Sequence, residues 1–169
     1  WRSAKEGLKV KVSQYKSPKD SWALEYSPYK PLGLLFPKGP MRWPGQLEGA
    51  VLGMTSGDFK ARMTRFEGDR YDFDAAYEGL IAYASFSDAG TLKVIDMKFN
   101  SEGKMRKFLT ERWGEPQKDA KGRAFWENPK TPTLEAGKPA RGVRAALVTR
   151  KGMSDSLVFT PIAAGDYKE

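Results

Sequence analysis

The distribution of proline constrains the fold of this chain more than any other feature of its sequence. Six of the eleven prolines lie within the first 44 residues. Proline fixes φ and removes a backbone donor, so it is excluded from helix interiors and central strands. Residues 27–44 are therefore predicted to be extended, with polyproline-like pieces and turns. The six are Pro18, Pro28, Pro31, Pro37, Pro40 and Pro44.

The same segment carries most of the net charge. Residues 1–44 contain nine basic and three acidic residues, which is +6 of the total +8. The chain is 40% hydrophobic, so it has enough apolar material for a packed core. The sequence thus predicts an extended, basic, proline- and aromatic-rich N-terminal arm at 1–44, followed by a folded body at 45–169.

Two short stretches of the arm alternate between apolar and other residues. Residues 8–12 place lysines between Leu8, Val10 and Val12, and residues 22–26 alternate in the same way. A period of two predicts short strands with one buried face, and lysines on the other face suit a sheet edge.

The body begins with a helix signal and continues with a hairpin signal. Thr55 and Asp58 form a capping-box-like start, and Phe59, Met63 and Phe66 follow with helical spacing. After a loop at 69–76, β-rich runs near 78–86 and 91–99 flank a four-residue turn.

A second helix and further strands follow in the same order. Met105, Phe108, Leu109 and Trp113 define one helix face, after a cap at Asn100 or Ser101. Strands are predicted near 124–126, 143–150 and 156–161. The proline-, glycine- and charge-rich stretch 128–142 is predicted to be an exposed loop.

The order of these patterns predicts the fold class. It is α+β, with two short helices packed on one face of an antiparallel sheet (α-β-β-α-β-β-β) and an extended basic N-terminal arm. The body is predicted to be a single domain, and its two helix-hairpin units leave an internal duplication open.

Two absent residue types narrow the chemistry. The chain has no histidine and no cysteine. This excludes Ser-His-Asp triads, cysteine nucleophiles and the usual zinc, haem and copper sites. We therefore expect no catalytic residue, no metal ligand and no cofactor, and so a protein that is not an enzyme.

Carboxylates leave two alternatives to that expectation. Paired acids such as Asp72 with Glu78, or Glu111 with Glu127, would support glycosidic cleavage if they faced one cleft. The acidic segment 67–74 would suit Ca²⁺, but its spacing does not fit an EF-hand and Arg70 interrupts it. A solvated loop is the favoured interpretation.

Two local motifs carry a resemblance to known families. The motif Leu52-Gly53-Met54-Thr55 opens the first helix. Trp113-Gly114-Glu115-Pro116 closes the second and precedes a strand with Trp126. Both resemble the small periplasmic lipoproteins of outer-membrane assembly (the BamE/SmpA-like fold), and the tandem arrangement is similar to the β-lactamase inhibitor protein architecture. The resemblance implies a non-catalytic module that binds proteins or envelope components.

Together these observations predict an accessory or protein-binding subunit of a larger, bacterial cell-envelope assembly. The arm would contact other protein subunits through cations and aromatic rings, since aromatic residues are enriched at interfaces. The residues predicted to bind the partner are Lys9, Lys11, Tyr15, Trp22, Tyr26, Tyr29, Phe36, Arg42 and Trp43.

The sequence leaves other partners open and also indicates a compartment. The same cations and rings would suit an anionic surface or polymer, or nucleic acid, although no nucleic-acid recognition motif occurs. The apolar runs at 31–37 and 79–86 are far shorter than the roughly 20 residues that span a bilayer. A processed start at Trp1 without cysteine suits a periplasmic or envelope-associated protein.

Overall fold

The structure is a computed structural model that describes residues 1–15, 21–77, 79–99, 104–149 and 154–162. It is mostly β, with 47% strand and 16% helix. A curled antiparallel sheet of seven strands forms the body, and a separate sheet of three strands precedes it. The predicted α+β fold class is therefore wrong.

All strand pairs in both sheets are antiparallel. The N-terminal sheet has the order β1 (Arg2–Ser3), β2 (Leu8–Tyr15) and β3 (Ser21–Pro28). The body strands are β4 (Arg70–Asp72), β5 (Ile81–Phe86), β6 (Leu92–Phe99), β7 (Gln117–Lys118), β8 (Ala124–Glu135), β9 (Lys138–Val148) and β10 (Asp155–Pro161). They are arranged as β4-β5-β6-β10-β9-β8-β7, so two meanders meet where β6 pairs with β10.

Both predicted helices are present. The first, α1 (Ser56–Arg62), begins at the predicted cap, where the Asp58 N–H donates to the Thr55 hydroxyl (3.1 Å). The second is α2 (Met105–Trp113), and its first N–H donates to Asp155 Oδ2 at 3.4 Å. The predicted hairpin is confirmed as β5 and β6. The predicted caps Asn100 and Ser101 lie outside the described residues.

The stretch 128–142 is not the predicted loop but the greater part of a long hairpin. Strands β8 and β9 are joined by Ala136 and Gly137, which have φ of 49° and 78°. Two residues with positive φ form the tight turn whose twist matches antiparallel strands. A register shift between Asn128 and Pro132 accommodates the prolines, which a regular central ladder excludes.

The layer that covers the sheet explains why a helix-on-sheet arrangement is wrong. Helix α1 buries Phe59, and α2 buries Met105 and Leu109. The segment 35–54, whose only regular element is a short 3-10 helix at Gly45–Leu47, buries seven apolar residues in the same core cluster. Irregular chain therefore supplies more of the core than either helix. The seven are Leu35, Phe36, Met41, Leu47, Ala50, Leu52 and Met54.

This segment also ties distant strands together. The Gly53 N–H donates to the Leu92 carbonyl (2.7 Å), and the Leu134 N–H donates to the Leu52 carbonyl (2.7 Å). Gly53 has φ of +89°, and a Cβ there would lie 1.9 Å from the Leu134 carbonyl oxygen. Only glycine fits this crossing between β6 and the end of the β8–β9 hairpin.

The strands predicted at residues 8–12 and 22–26 are confirmed within β2 and β3, but the expectation of an extended N-terminal arm is wrong. Residues 8–15 and 21–28 form the paired strands β2 and β3, and Phe36 and Met41 belong to the body core. Two alternating runs can pair with each other, so a hairpin satisfies backbone groups that an extended arm would leave to water. Within the described part of the chain, no helix has the length and hydropathy of a transmembrane segment.

Candidate functional site

The N-terminal sheet exposes one apolar face. The register pairs Gln14 with Trp22, Val12 with Leu24, and Val10 with Tyr26. Directly opposite residues in an antiparallel pair point to the same side. We define the apolar face as the four large apolar side chains of β2 and β3 that are more than half exposed: Val12 (58%), Trp22 (67%), Leu24 (57%) and Tyr26 (64%).

The cations of β2 lie on the other side of the sheet. Lys9 pairs with Ser27 and Lys11 with Glu25, and the alternation of side chains places them opposite the apolar face. Lys11 Nζ lies 3.5 Å from Glu25 Oε2. Both side chains are about half exposed, so this pair adds little stability, but it offsets part of the local positive charge.

The outer edge of β3 leaves backbone groups unpaired. The Tyr29 N–H donates to the Gly7 carbonyl (2.8 Å), so the backbone N–H and C=O groups of Tyr29 point towards the β2 side of the sheet. Val10, opposite Tyr26, instead donates towards β1, to the Trp1 carbonyl (2.8 Å). Because the pattern alternates, Trp22, Leu24 and Tyr26 point their N–H and C=O groups away from β2. No described residue forms a backbone hydrogen bond with these groups.

This edge differs from those of the body sheet. The outermost body strands are β4 and β7, with three and two residues. Short edge strands limit unwanted pairing with other chains. Strand β3 has eight residues, all exposed except the half-buried Ala23, and carries no lysine or arginine. Its charged residue is Glu25 and its proline is the terminal Pro28, so the stretch from Trp22 to Tyr26 carries little of the usual protection of an edge.

Lys30, two residues after the end of β3, connects this sheet to the body. The Lys30 N–H donates to the Ala76 carbonyl (2.9 Å), and Lys30 Nζ lies 2.5 Å from Asp74 Oδ2. The hydrogen bond from Lys30, reinforced by one from the Ala76 N–H, lowers the pKa of the Asp74 carboxyl. The same side-chain hydrogen bond raises the pKa of Lys30.

The structure brings together only part of the predicted partner-binding set. Trp22 and Tyr26 share the apolar face, whereas Lys9 and Lys11 lie on the opposite side. Tyr29 is half-buried, with the Arg2 guanidinium 5.7 Å from its ring centroid.

The remaining predicted residues lie elsewhere. Phe36 is fully buried, and its ring centroid lies 5.8 Å from that of Phe99 and 5.6 Å from that of Trp113. Trp43 is half-buried against Phe159 (4.8 Å), and Arg42 is exposed on the same irregular segment. The backbone of Tyr15 pairs with that of Ser21 at the far end of the hairpin.

Two residues of the apolar face were missing from the predicted set. Val12 and Leu24 belong to alternating patterns that indicate a buried face, yet each is more than half exposed. Alternation shows which side chains share a face but not whether another layer covers that face. No local signal in the sequence would have distinguished the two cases.

The acidic candidates are held by neighbouring cations. Asp72 accepts hydrogen bonds from Arg70 (3.1 and 2.8 Å), and Glu127 from Arg144 (2.8 Å). Glu111 is exposed on α2, and Glu78 lies outside the described residues. Among the residues the structure describes, no three acidic side chains lie close enough together to hold a metal ion.

A cleft of about 380 Å³ lies between α1 and the end of the β8–β9 hairpin. Its described lining includes Met54 and Leu134 and contains one carboxylate, Asp58, which accepts a hydrogen bond from the Thr55 hydroxyl (2.8 Å). A single carboxylate already engaged in a helix cap does not provide the acid and base that glycosidic cleavage needs.

No family model, curated relative or solved structure matches this chain. The resemblance to outer-membrane assembly lipoproteins and to the β-lactamase inhibitor protein architecture therefore stays a prediction.

Proposed function

We propose that this protein is a non-enzymatic, protein-binding subunit that contacts its partner through the apolar face. The observation that carries the proposal is the exposure of Val12, Trp22, Leu24 and Tyr26 on one side of a regular sheet. Contiguous exposed apolar side chains mark interaction sites, and aromatic residues dominate the binding energy of interfaces. The predicted cell-envelope location would make the partner an envelope protein.

The arrangement of charge favours a protein over nucleic acid or another anionic polymer. A stacking platform for single-stranded nucleic acid combines aromatic rings and cations on one surface. Here the rings of Trp22 and Tyr26 lie on one side, and Lys9 and Lys11 lie on the other. An apolar, aromatic patch without charged side chains on its own face is instead typical of the core of a protein interface.

Site-specific crosslinking in the source cells can identify the partner. A photoreactive residue at position 24 is compared with one at position 34, because Leu34 is similarly exposed (66%) but lies in a 3-10 helix outside the sheet. We expect a crosslinked protein that is specific to position 24. That protein is then purified, and its affinity for the wild-type chain is measured by calorimetry.

Two double variants of the same sheet provide the decisive comparison. Val12→Ser/Leu24→Ser removes the aliphatic part of the apolar face, and we expect the dissociation constant to rise by roughly tenfold or more. Lys9→Ser/Lys11→Ser changes the opposite side, and we expect mainly a weaker salt dependence. Equal losses from both variants, or no loss from the first, would contradict the proposal.

A further inference from the structure

The free edge of β3 has a nearly two-fold symmetric sequence, in which only Ala23 and Glu25 do not match. Around Leu24 the strand reads Ser21-Trp22-Ala23-Leu24-Glu25-Tyr26-Ser27, with serine and then an aromatic residue at matching distances on each side. A symmetric dimer interface requires a surface that is complementary to itself under a two-fold rotation. Strand β3 meets that requirement when the two-fold axis of the dimer passes through Leu24.

We propose that two copies of this chain pair antiparallel along β3 and form a continuous six-stranded sheet. In this register Leu24 lies opposite Leu24 of the second copy, and Trp22 lies opposite Tyr26 of the second copy. All three are residues whose backbone groups point outward, so the pairing forms six hydrogen bonds between the copies. A register with its axis at residue 25 would form the same number, because each pair of Pro28 with Trp22 keeps one hydrogen bond although proline has no N–H, so hydrogen bonds alone do not separate the two registers.

Charge is compatible with this pairing and selects the same register. Glu25 lies opposite Ala23 of the second copy, whereas a shift of one residue in the axis towards position 25 would bring two glutamates together. Lys9 and Lys11 lie on β2, one strand further out. The two β2 strands are then about 14 Å apart, three strand spacings. That distance exceeds the Debye length at physiological salt, so the repulsion between them is largely screened.

The dimer goes beyond the proposed function, because it concerns the strand edge and holds whether or not another protein covers the apolar face. It joins the apolar faces of both copies side by side and thereby doubles the surface offered to a partner. The contact is confined to one strand from each copy, which is small for an interface, so the association should depend on concentration in the micromolar to millimolar range.

Sedimentation equilibrium over a concentration series tests the proposal. We expect the wild-type mass to rise from 18.9 kDa towards twice that value. Leu24→Pro should keep the chain monomeric, because it removes an outward N–H and leaves the β2–β3 hydrogen bonds intact. Val12→Ser changes the apolar face away from the edge and should dimerise like the wild type. A wild type that is monomeric up to millimolar concentration, or a Leu24→Pro variant that associates like the wild type, overturns the proposal.

A charge pair at the axis tests the register. Leu24→Lys and Leu24→Glu each place two like charges opposite one another, and we expect each variant alone to have a dissociation constant at least tenfold higher. An equimolar mixture should recover dimers, because lysine then faces glutamate across the axis. A mixture that associates no better than its components overturns the pairing.

The two proposals fail separately. A wild-type monomer that still loses its crosslinked partner through Val12→Ser/Leu24→Ser would overturn only the edge pairing. A dimer that neither captures nor binds another protein would overturn only the heterologous interaction.

Discussion

A single ion pair at the junction between the two sheets responds to pH in a predictable direction. Lys30 holds the pKa of Asp74 below its usual range, and Asp74 raises the pKa of Lys30. The contribution of Asp74 to the free energy of unfolding is present above the ordinary aspartate pKa. It is lost as the pH falls through the lowered pKa of Asp74. The contribution from Lys30 is present below the ordinary lysine pKa and is lost as the pH rises through its raised value. The pair is therefore complete across the neutral range and breaks first in acid.

Lys30→Met should raise the pKa of Asp74, measured by carboxyl ¹³C NMR titration. The rise should be partial, because the Ala76 N–H still donates to Asp74 Oδ1 (2.9 Å). Lys38→Met is the matched control, since Lys38 is an exposed lysine of the same segment. It should leave the Asp74 titration unchanged. An unaltered Asp74 pKa in Lys30→Met would contradict this account of the junction.

The sequence shows where the aromatic residues lie along the chain but not which of them are buried. Trp22 and Phe36 both lie in the segment predicted to bind a partner, yet one side chain is 67% exposed and the other is fully buried. Phe36 is buried because Phe99 and Trp113 come from distant parts of the chain to contact it. Contacts between residues so far apart in sequence cannot be derived from a local pattern.

Secondary-structure elements were predicted correctly where the whole signal lies within a few neighbouring residues. The cap at Thr55 and the β5–β6 hairpin follow from short-range patterns, and the structure confirms both. The β8–β9 hairpin was missed because its prolines and its Ala-Gly turn resemble loop composition. Its pairing depends on a bulge and on contact with the Leu52–Met54 segment, which are tertiary features.

The turn of that hairpin offers a stabilising substitution. Ala136 has φ of 49°, which costs an ordinary L-residue about 1–2 kcal/mol, whereas asparagine tolerates this conformation. Ala136→Asn creates the Asn-Gly dipeptide favoured in tight hairpin turns. We expect the free energy of unfolding to rise by about 1 kcal/mol and the Tm by about 2–4 °C.

Ala136→Val provides the opposite case, measured by the same thermal and denaturant unfolding. A β-branched side chain at positive φ is strained, so this variant should be less stable than the wild type. If Ala136→Val were more stable than Ala136→Asn, the hairpin would not turn at Ala136 and Gly137.

The whole molecule consists of an exposed N-terminal sheet and a body whose hydrophobic core contains no residue of that sheet among those the structure describes. The core cluster begins at Leu35, and the described residues before β3 ends contribute none of its members. The change in composition near Pro44 suggested a boundary between arm and body. In the structure, the chain from Leu35 onwards already packs with the body strands.

Two truncations test whether the folded body begins near Leu35 or near Pro44. Removing residues 1–28 takes away the N-terminal sheet but leaves the core cluster intact, so the remaining chain should fold with a Tm close to that of the whole protein. Removing residues 1–44 also deletes Leu35, Phe36 and Met41, each at most 3% exposed. Replacing such side chains with alanine costs about 2–5 kcal/mol each, and domains of this size are stable by about 5–15 kcal/mol in total. The shorter chain should therefore be unfolded at room temperature, as judged by circular dichroism and amide NMR dispersion. A cooperative, native-like transition in that variant would mean that the body folds without the aromatic contacts of Phe36.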